Sequence, residues 1–169
     1  WLRDDGIMRL QLMRSVTNYK GYDAPLAAGK GDHTFDYAIA PHGPDWRDGN
    51  LIEMAHSYNT PLLVASLPEP VETPALPGTL PARHSFLTVE RGTFEVTALK
   101  RAEDGRGFVV RGYETRGRAC AVRLKFGFPL KSVRKSDILE GDGPELPLGD
   151  AAVEFPCRGF EIVTLRIAQ

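Results

Sequence analysis

The sequence predicts an all-β protein that folds as a β-sandwich and carries one short helix. Several segments alternate apolar and polar residues with a period of two and are rich in β-branched and aromatic residues, which is typical of half-buried strands. Glycine-containing turn signals separate these segments at short intervals. Only residues 48–59 space their apolar positions three and four apart, as an amphipathic helix does. The predicted strands are 7–13, 33–40, 85–90, 93–100, 108–114, 120–126 and 160–167.

A proline-rich stretch divides the chain into two segments. Residues 67–83 contain five prolines and no alternation, so we interpret them as an extended linker. Residues 84–169 hold enough predicted strands for a small antiparallel sandwich. Residues 1–66 hold too few to bury both faces of a sheet. We therefore expect exposed apolar side chains or an unpaired edge there, which would recruit a second copy or dock onto the second segment.

The composition narrows the function classes. The chain has 169 residues and a formal net charge of −1, which offers no field to attract nucleic acid or an anionic membrane surface. No apolar run approaches the roughly 20 residues of a membrane helix. The chain begins at Trp1 without a secretory signal pattern, so we expect a piece of a longer protein. We expect the two cysteines, Cys120 and Cys157, to be reduced thiols in a cytoplasmic protein, with one bridge between them as the alternative.

Two adjacent carboxylates, Glu103 and Asp104, raise the question of an acid/base pair. A retaining glycosidase needs two carboxyl groups roughly 5–5.5 Å apart that face one substrate. Adjacent residues of an exposed turn point in different directions and stay solvated, so nothing in the sequence raises either pKa. We interpret both residues as part of a turn.

That turn predicts the register of a β-hairpin. With 103–105 as its loop, Lys100 lies opposite Phe108 and Glu95 lies opposite Tyr113. The glycine that ends the loop supplies a left-handed backbone conformation. The hairpin accounts for these residues without any chemistry.

The sequence contains no recognisable catalytic or metal-binding motif. It has four histidines but no HExxH motif and no paired CxxC motifs. We therefore predict no catalytic residue, no metal ligand and no cofactor in this chain.

Aromatic residues in loops are the candidates for sugar binding, because sugar rings stack on aromatic faces. Trp46 is the first candidate, and the alternative is that it packs under the short helix. Arg111 belongs to a group of arginines around two predicted hairpins, and such a group could contact an anion or a partner protein. The candidate carbohydrate or interface contacts are Trp46, His42, Tyr19, Tyr22 and Arg111.

The order of several motifs resembles a known family. "GDHTFDYAIAPH" at 31–42 is followed by "ALKRAEDGRGFVVRGYE" at 98–114, then "DILE" at 137–140 and "FEIVTLRI" at 160–167. Together they resemble the C-terminal β region of glycoside hydrolase family 38, the retaining α-mannosidases. The resemblance runs over nearly the whole chain.

The resemblance implies a division of labour in a larger enzyme. It implies an N-terminal β/α barrel that holds zinc and an aspartate nucleophile, followed by a helical bundle and β domains. Residues 1–66 would be the end of a large mutarotase-like sandwich, and 84–169 the small C-terminal sandwich. This chain would then brace the catalytic barrel or a subunit interface and hydrolyse no α-mannoside alone. A stand-alone carbohydrate-binding module and an oligomerisation module are the alternatives.

Overall fold

A computed structural model describes residues 2–4, 7–13, 18–19, 22–23, 29–65 and 81–169. The chain separates into two compact units, Trp1–Pro41 and His42–Gln169. Most of the linker predicted at 67–83 lies outside the described residues, and the domain boundaries predicted around it stay predictions. No helix in the described ranges is long and apolar enough to cross a membrane.

The first unit contains two short antiparallel strand pairs. Its strands are β1 (Leu2–Asp4), which pairs with β2 (Ile7–Arg9), and β3 (Asn18–Tyr19), which pairs with β4 (Tyr22–Asp23). β2 covers the start of the strand predicted at 7–13. The strand predicted at 33–40 is not formed, although its residues are described. Its apolar side chains are exposed, with Ile39 at 72%, which agrees with the exposure expected for this segment.

The second unit contains the helix and a two-sheet sandwich. A 3-10 turn (Trp46–Asp48) precedes α1 (Leu51–Asn59). The strands are β5 (Leu87–Arg91), β6 (Phe94–Arg101), β7 (Phe108–Glu114), β8 (Cys120–Phe126), β9 (Ser132–Ser136), β10 (Asp142–Leu146), β11 (Leu148–Gly149), β12 (Ala152–Cys157) and β13 (Ile162–Ala168). One sheet has the order β10-β9-β13-β7-β6, and the other has the order β11-β12-β8-β5. All neighbours in both sheets are antiparallel. The all-β sandwich with one short helix is thus confirmed.

The core lies between the inner faces of the two sheets. Alternate residues of each strand point inward, and burying an aliphatic or aromatic side chain of this size contributes about 1.5–3 kcal/mol. Phe94 of one sheet meets Phe155 of the other edge to face, with ring centroids 5.8 Å apart. The core residues are Phe94, Val110, Val122, Leu124, Phe126, Val133, Val153, Phe155, Cys157, Val163, Leu165 and Ile167.

The β6–β7 hairpin has the predicted register at one end only. Glu95 pairs with Tyr113 as expected, but Lys100 pairs with Val109 and not with Phe108. The cause is a register shift between Val96 and Ala98, where β6 carries one extra residue. The loop is accordingly longer than three residues.

Several strands of the sandwich escaped the sequence analysis. The stretch "EGDGPELPLGD", which we interpreted as a turn, contains β10 and β11. Pro144 cannot donate to a ladder, yet β10 tolerates it because β10 is an edge strand. The pairing of β10 with β9 also shifts register between Asp142 and Glu145, which takes up the irregular sequence.

Candidate functional site

The loop after β9 carries the motif "DILE" and folds into a tight turn. The carboxylate of Asp137 accepts hydrogen bonds from the backbone N–H groups of Leu139 and Gly141, both at 2.9 Å. The hydroxyl of Ser136 donates to the Gly141 carbonyl at 2.7 Å. Glu140 has a positive φ of 67°, a strained conformation that persists because the surrounding contacts fix it.

Glu140 ties this loop to the β6–β7 hairpin. Its side chain is 6% exposed, and its carboxylate lies 2.6 Å from the ammonium group of Lys100. It also accepts a hydrogen bond from the backbone N–H of Glu103 at 2.8 Å. The contact with Lys100, followed by the Glu103 N–H, holds the pKa of Glu140 below its usual value. The carboxylate is therefore kept ionised as a structural anchor.

Arg166 of β13 completes the connection. One of its Nη atoms donates to the Glu140 carbonyl at 2.9 Å, and the other pairs with the carboxylate of Asp104. Asp104 also accepts hydrogen bonds from the backbone N–H of Arg106 at 2.9 Å and from its Nε at 3.0 Å. The Arg166 guanidinium, and then the Arg106 N–H, hold the pKa of Asp104 well below its usual range. Asp104 is an exposed turn residue, as the sequence indicated, but it also pairs with Arg166 from another strand, which the sequence did not indicate.

Arg111, a predicted carbohydrate or interface contact, lies in the same region. It faces outward on β7, and its Nε donates to the hydroxyl of Thr164 at 3.1 Å. One of its Nη atoms donates to the carbonyl of Ile138 at 3.1 Å. Its guanidinium thus holds the loop over the sheet, and contact with a carbohydrate stays a prediction.

These bonds hold the loop on the outer face of the five-stranded sheet, where two aliphatic side chains of the loop and one of β13 are exposed. Ile138 and Leu139 of the loop are 72% and 85% exposed, and Ile162 of β13 is 70% exposed. Arg111 donates both to Thr164 of β13 and to the Ile138 carbonyl, so the loop lies close to β13. Ile162 is two residues before Thr164 on the same strand and therefore points to the same side of the sheet. We name Ile138, Leu139 and Ile162 the outer-face aliphatic group. Apolar side chains fixed in this way suit contact with another surface.

The helix lies against the same hairpin. An imidazole nitrogen of His56 is 3.3 Å from the hydroxyl of Tyr113, and the other is 3.9 Å from the carboxylate of Glu95. Before the helix, Arg47 donates through Nε to the carbonyl of Arg116 at 2.8 Å. The helix, which the sequence analysis grouped with residues 1–66, therefore packs with β6 and β7.

The aromatic candidates are not gathered into one platform. Trp46 is half-buried, with the guanidinium of Arg47 at 4.7 Å from its ring centroid. His42 is exposed, with its Nδ1 atom 2.6 Å from the carbonyl of Gly43. Tyr19 and Tyr22 pair through their backbones, while their side chains lie outside the described part of the chain. A role in carbohydrate contact stays a prediction for all four.

A second polar cluster surrounds Glu114, the last residue of β7. The Glu114 side chain is fully buried. Its carboxylate accepts five hydrogen bonds from three separate parts of the chain. The donors are the hydroxyl of Thr93 at 2.6 Å and the backbone N–H groups of Arg116 at 2.8 Å, Gly117 at 2.6 Å, Arg118 at 3.2 Å and Phe160 at 3.0 Å. Burial alone raises the pKa of Glu114, but these bonds outweigh it and the pKa is lowered.

Sequence reasoning missed Glu114, Glu140 and Arg166. Each has partners far along the chain, so spacing carries no signal for them. The one usable clue is a carboxylate that ends a strand directly before a glycine turn, as Glu114 does in "YETRGR". Within the described ranges, no three His, Cys, Asp or Glu side chains come together as metal ligands would.

Taken together, the fold and these contacts define an antiparallel β-sandwich domain with a fixed outer face. The family model for the glycosyl hydrolases family 38 C-terminal beta sandwich domain matches residues 93–165, which run from the start of β6 into β13. This match identifies residues 93–165 as a C-terminal beta sandwich domain of glycoside hydrolase family 38, the family that the motifs indicated.

Curated relatives extend the match beyond the sandwich. Alpha-mannosidase 2C1 from Homo sapiens is 30% identical over 164 residues, 94% of this chain and 14% of that protein. Alpha-mannosidase 2C1 from Mus musculus is 28% identical over the same shares. Alpha-mannosidase G from Dictyostelium discoideum is 31% identical over 65% of this chain and 10% of its own length. The chain thus spans about one seventh or less of each relative.

Proposed function

We propose that this chain is the non-catalytic C-terminal β portion of a zinc-dependent retaining α-mannosidase. In this proposal its outer face braces the catalytic part of the same enzyme. The relatives are named as α-mannosidases, and the match covers 94% of this chain but only 14% of the human protein. Zinc and the hydrolytic residues then belong to the catalytic part.

The outer-face aliphatic group is the observation that carries the bracing role. Covering these three exposed aliphatic side chains with another protein surface would be favourable by roughly 25 cal/mol for each Å² of apolar area removed from water. Glu140, Arg166 and Arg111 fix the loop that presents two of them. A surface that is already ordered loses little conformational entropy when it docks.

The free thiols support a cytoplasmic location for the parent enzyme. Cys120 and Cys157 are unpaired in the structure, as thiols are in a reducing compartment. Fractionation of the source cells with an antibody against this chain would test the location, and recovery in a secreted fraction would contradict it.

The first test addresses catalysis. We expect the isolated chain to leave an aryl α-mannoside intact, with or without added zinc. Hydrolysis that a chelator abolishes and zinc restores would overturn the non-catalytic assignment.

The second test addresses bracing. This chain would replace the matching C-terminal region of Alpha-mannosidase 2C1, and the temperature of half-inactivation would be measured for the fusion. Leu139→Ser should lower that temperature, whereas it should leave the melting of the isolated chain unchanged because Leu139 touches solvent there. Phe86→Ser, which alters an exposed apolar residue outside the outer face, is the matched control.

An unchanged half-inactivation temperature for Leu139→Ser would mean that the outer face is not the bracing contact. Light scattering of the isolated chain tests whether a second copy of the chain, and not the catalytic part, covers this face. A dimer that Leu139→Ser dissociates would assign the face to a second copy.

A further inference from the structure

The two cysteines are brought together by strand register. Cys120 opens β8 and Cys157 ends β12, and the two are directly opposite each other at the end of six consecutive pairs. Directly opposite residues point to the same face, with Cβ atoms about 4.5–5.5 Å apart. A disulfide spans Cα atoms about 4.4–6.8 Å apart, which includes the spacing of opposite residues on neighbouring strands.

Both thiols lie at one open end of the sandwich. Cys157 is buried in the core and Cys120 is half-buried. The Thr93 hydroxyl lies 3.8 Å from the Cys120 sulfur, and the Cys157 sulfur lies 3.8 Å from the Glu161 carbonyl. Their location at strand termini leaves room for the small approach of the Cβ atoms that a bond requires.

A cavity gives small molecules access to the pair. It has a volume of about 590 Å³, and its lining includes Cys120, Cys157, Lys135 and Glu161. In this lining, the positive charge of Lys135 only partly opposes the effects of burial and of Glu161 on the pKa of Cys157. A peroxide is far smaller than this opening.

We infer that Cys120 and Cys157 are an oxidisable dithiol that closes to a cross-strand disulfide when the protein meets a peroxide. Cys120 reacts first because it is the more exposed of the two. Burial, and then the charge of Glu161, raise the pKa of Cys157 to about 11, so Cys157 waits as the thiol.

The chemistry takes place in two balanced steps. The Cys120 sulfur attacks one oxygen of hydrogen peroxide, the O–O bond breaks, and the products are a sulfenic acid and one water. The Cys157 sulfur then attacks the Cys120 sulfur, the S–S bond forms, and the S–O bond breaks. The leaving hydroxyl takes the Cys157 proton as a second water. Two thiols have lost two electrons, and the peroxide has gained them.

The bond would join β8 and β12 covalently beside the cavity. In a reducing compartment, thiols such as glutathione would reopen it, so the disulfide would be a transient, stress-dependent state. This inference does not depend on the proposed bracing role.

The full chain, fully reduced, would be treated with hydrogen peroxide, then alkylated and digested with trypsin. We expect a monomer that has lost the mass of two hydrogen atoms and a disulfide-linked pair of tryptic peptides, 119–123 and 136–158. Treatment with dithiothreitol should restore the original mass and separate the two peptides. The oxidised chain should also melt at a higher temperature, because a cross-link restricts the unfolded state.

Two variants make the test specific. In Cys157→Ala, Cys120 should accumulate as sulfinic acid because no partner captures its sulfenic acid. In Cys120→Ser, Cys157 should remain alkylatable after unfolding. Linked dimers in place of the internal link, or sulfinic acid at Cys120 in the unaltered chain while Cys157 stays free, would overturn the inference.

Discussion

Residues 35–39 in the first unit and residues 163–167 in the second both place large apolar side chains at every second position, yet only the second set is buried. Ile39 is 72% exposed, whereas Ile167 is 1% exposed. Residues 163–167 lie in β13, which pairs with β7 on one side and β9 on the other. Residues 35–39 belong to no strand. Alternation therefore shows what a segment is able to bury, and neighbouring strands decide whether it does.

The matched pair Ile167→Ala and Ile39→Ala tests this comparison most directly. The first should lower the free energy of unfolding by about 4 kcal/mol, because it opens a cavity in the core. The second should change it by less than about 0.5 kcal/mol, as exposed positions do. Urea unfolding followed by far-UV circular dichroism measures both. Equal costs would mean that residues 35–39 are buried in solution.

Glu114 provides the next largest expected effect. Glu114→Ala should cost about 3 kcal/mol, because several buried donors lose a charged acceptor at once. Glu154→Ala on β12 is the control, since its half-exposed carboxylate makes only surface pairs with Arg91 and Arg123. The same urea experiment applies. If Glu114→Ala were as mild as the control, water would have to satisfy these donors.

Alanine substitutions at two glycines of the β6–β7 turn should destabilise the protein to different extents. Gly107 has a φ of +78°, and a Cβ there would lie 2.1 Å from the Ile167 carbonyl, whereas a Cβ at Gly105, with a φ of +75°, would meet open space. We expect Gly107→Ala to cost about 2 kcal/mol or more and Gly105→Ala about 1 kcal/mol, the latter from backbone strain alone. Thermal melting of the two variants measures the difference. The reverse order would mean that the hairpin loop has a different path.

Acid should weaken the second unit. The pKa values of Glu114, Glu140 and Asp104 are lowered in the folded state. Their stabilising contribution is therefore complete above the unfolded pKa of about 4 and is lost as the pH falls through the folded values. The free energy of unfolding should begin to fall at about pH 5 and continue to fall as the pH is lowered further, and it should fall less in Glu114→Gln. Urea titrations at several pH values measure this. If the free energy of unfolding fell equally in the unaltered chain and in Glu114→Gln, Glu114 would not contribute to the pH dependence.

The sequence predicted the sandwich well where alternation coincided with pairing. The bounds predicted for 108–114 and 120–126 are those of β7 and β8. The register of the β6–β7 hairpin was wrong beyond Val96, because one extra residue shifts every later pair and leaves no mark in the pattern of apolar residues. β10 was missed because glycine and proline in an edge strand look like a turn.

The candidate site was less predictable than the fold. Arg111 was selected from a group of arginines, but its contacts with Thr164 and Ile138 depend on how three strands and a loop come together. The same holds for Asp104, whose partner Arg166 is 62 residues away. Local spacing cannot report contacts of this kind.

Each edge strand of the sandwich is either irregularly paired or very short. The two sheets described here end in the edge strands β6, β10, β5 and β11. Pairing shifts register in the first three, between Val96 and Ala98, Asp142 and Glu145, and Val89 and Arg91, and the fourth has only two residues. A broken or very short edge is a poor template for a strand of another molecule. The sandwich is thus protected against growth into fibres, and its faces and loops are left as the surfaces for contact with other proteins.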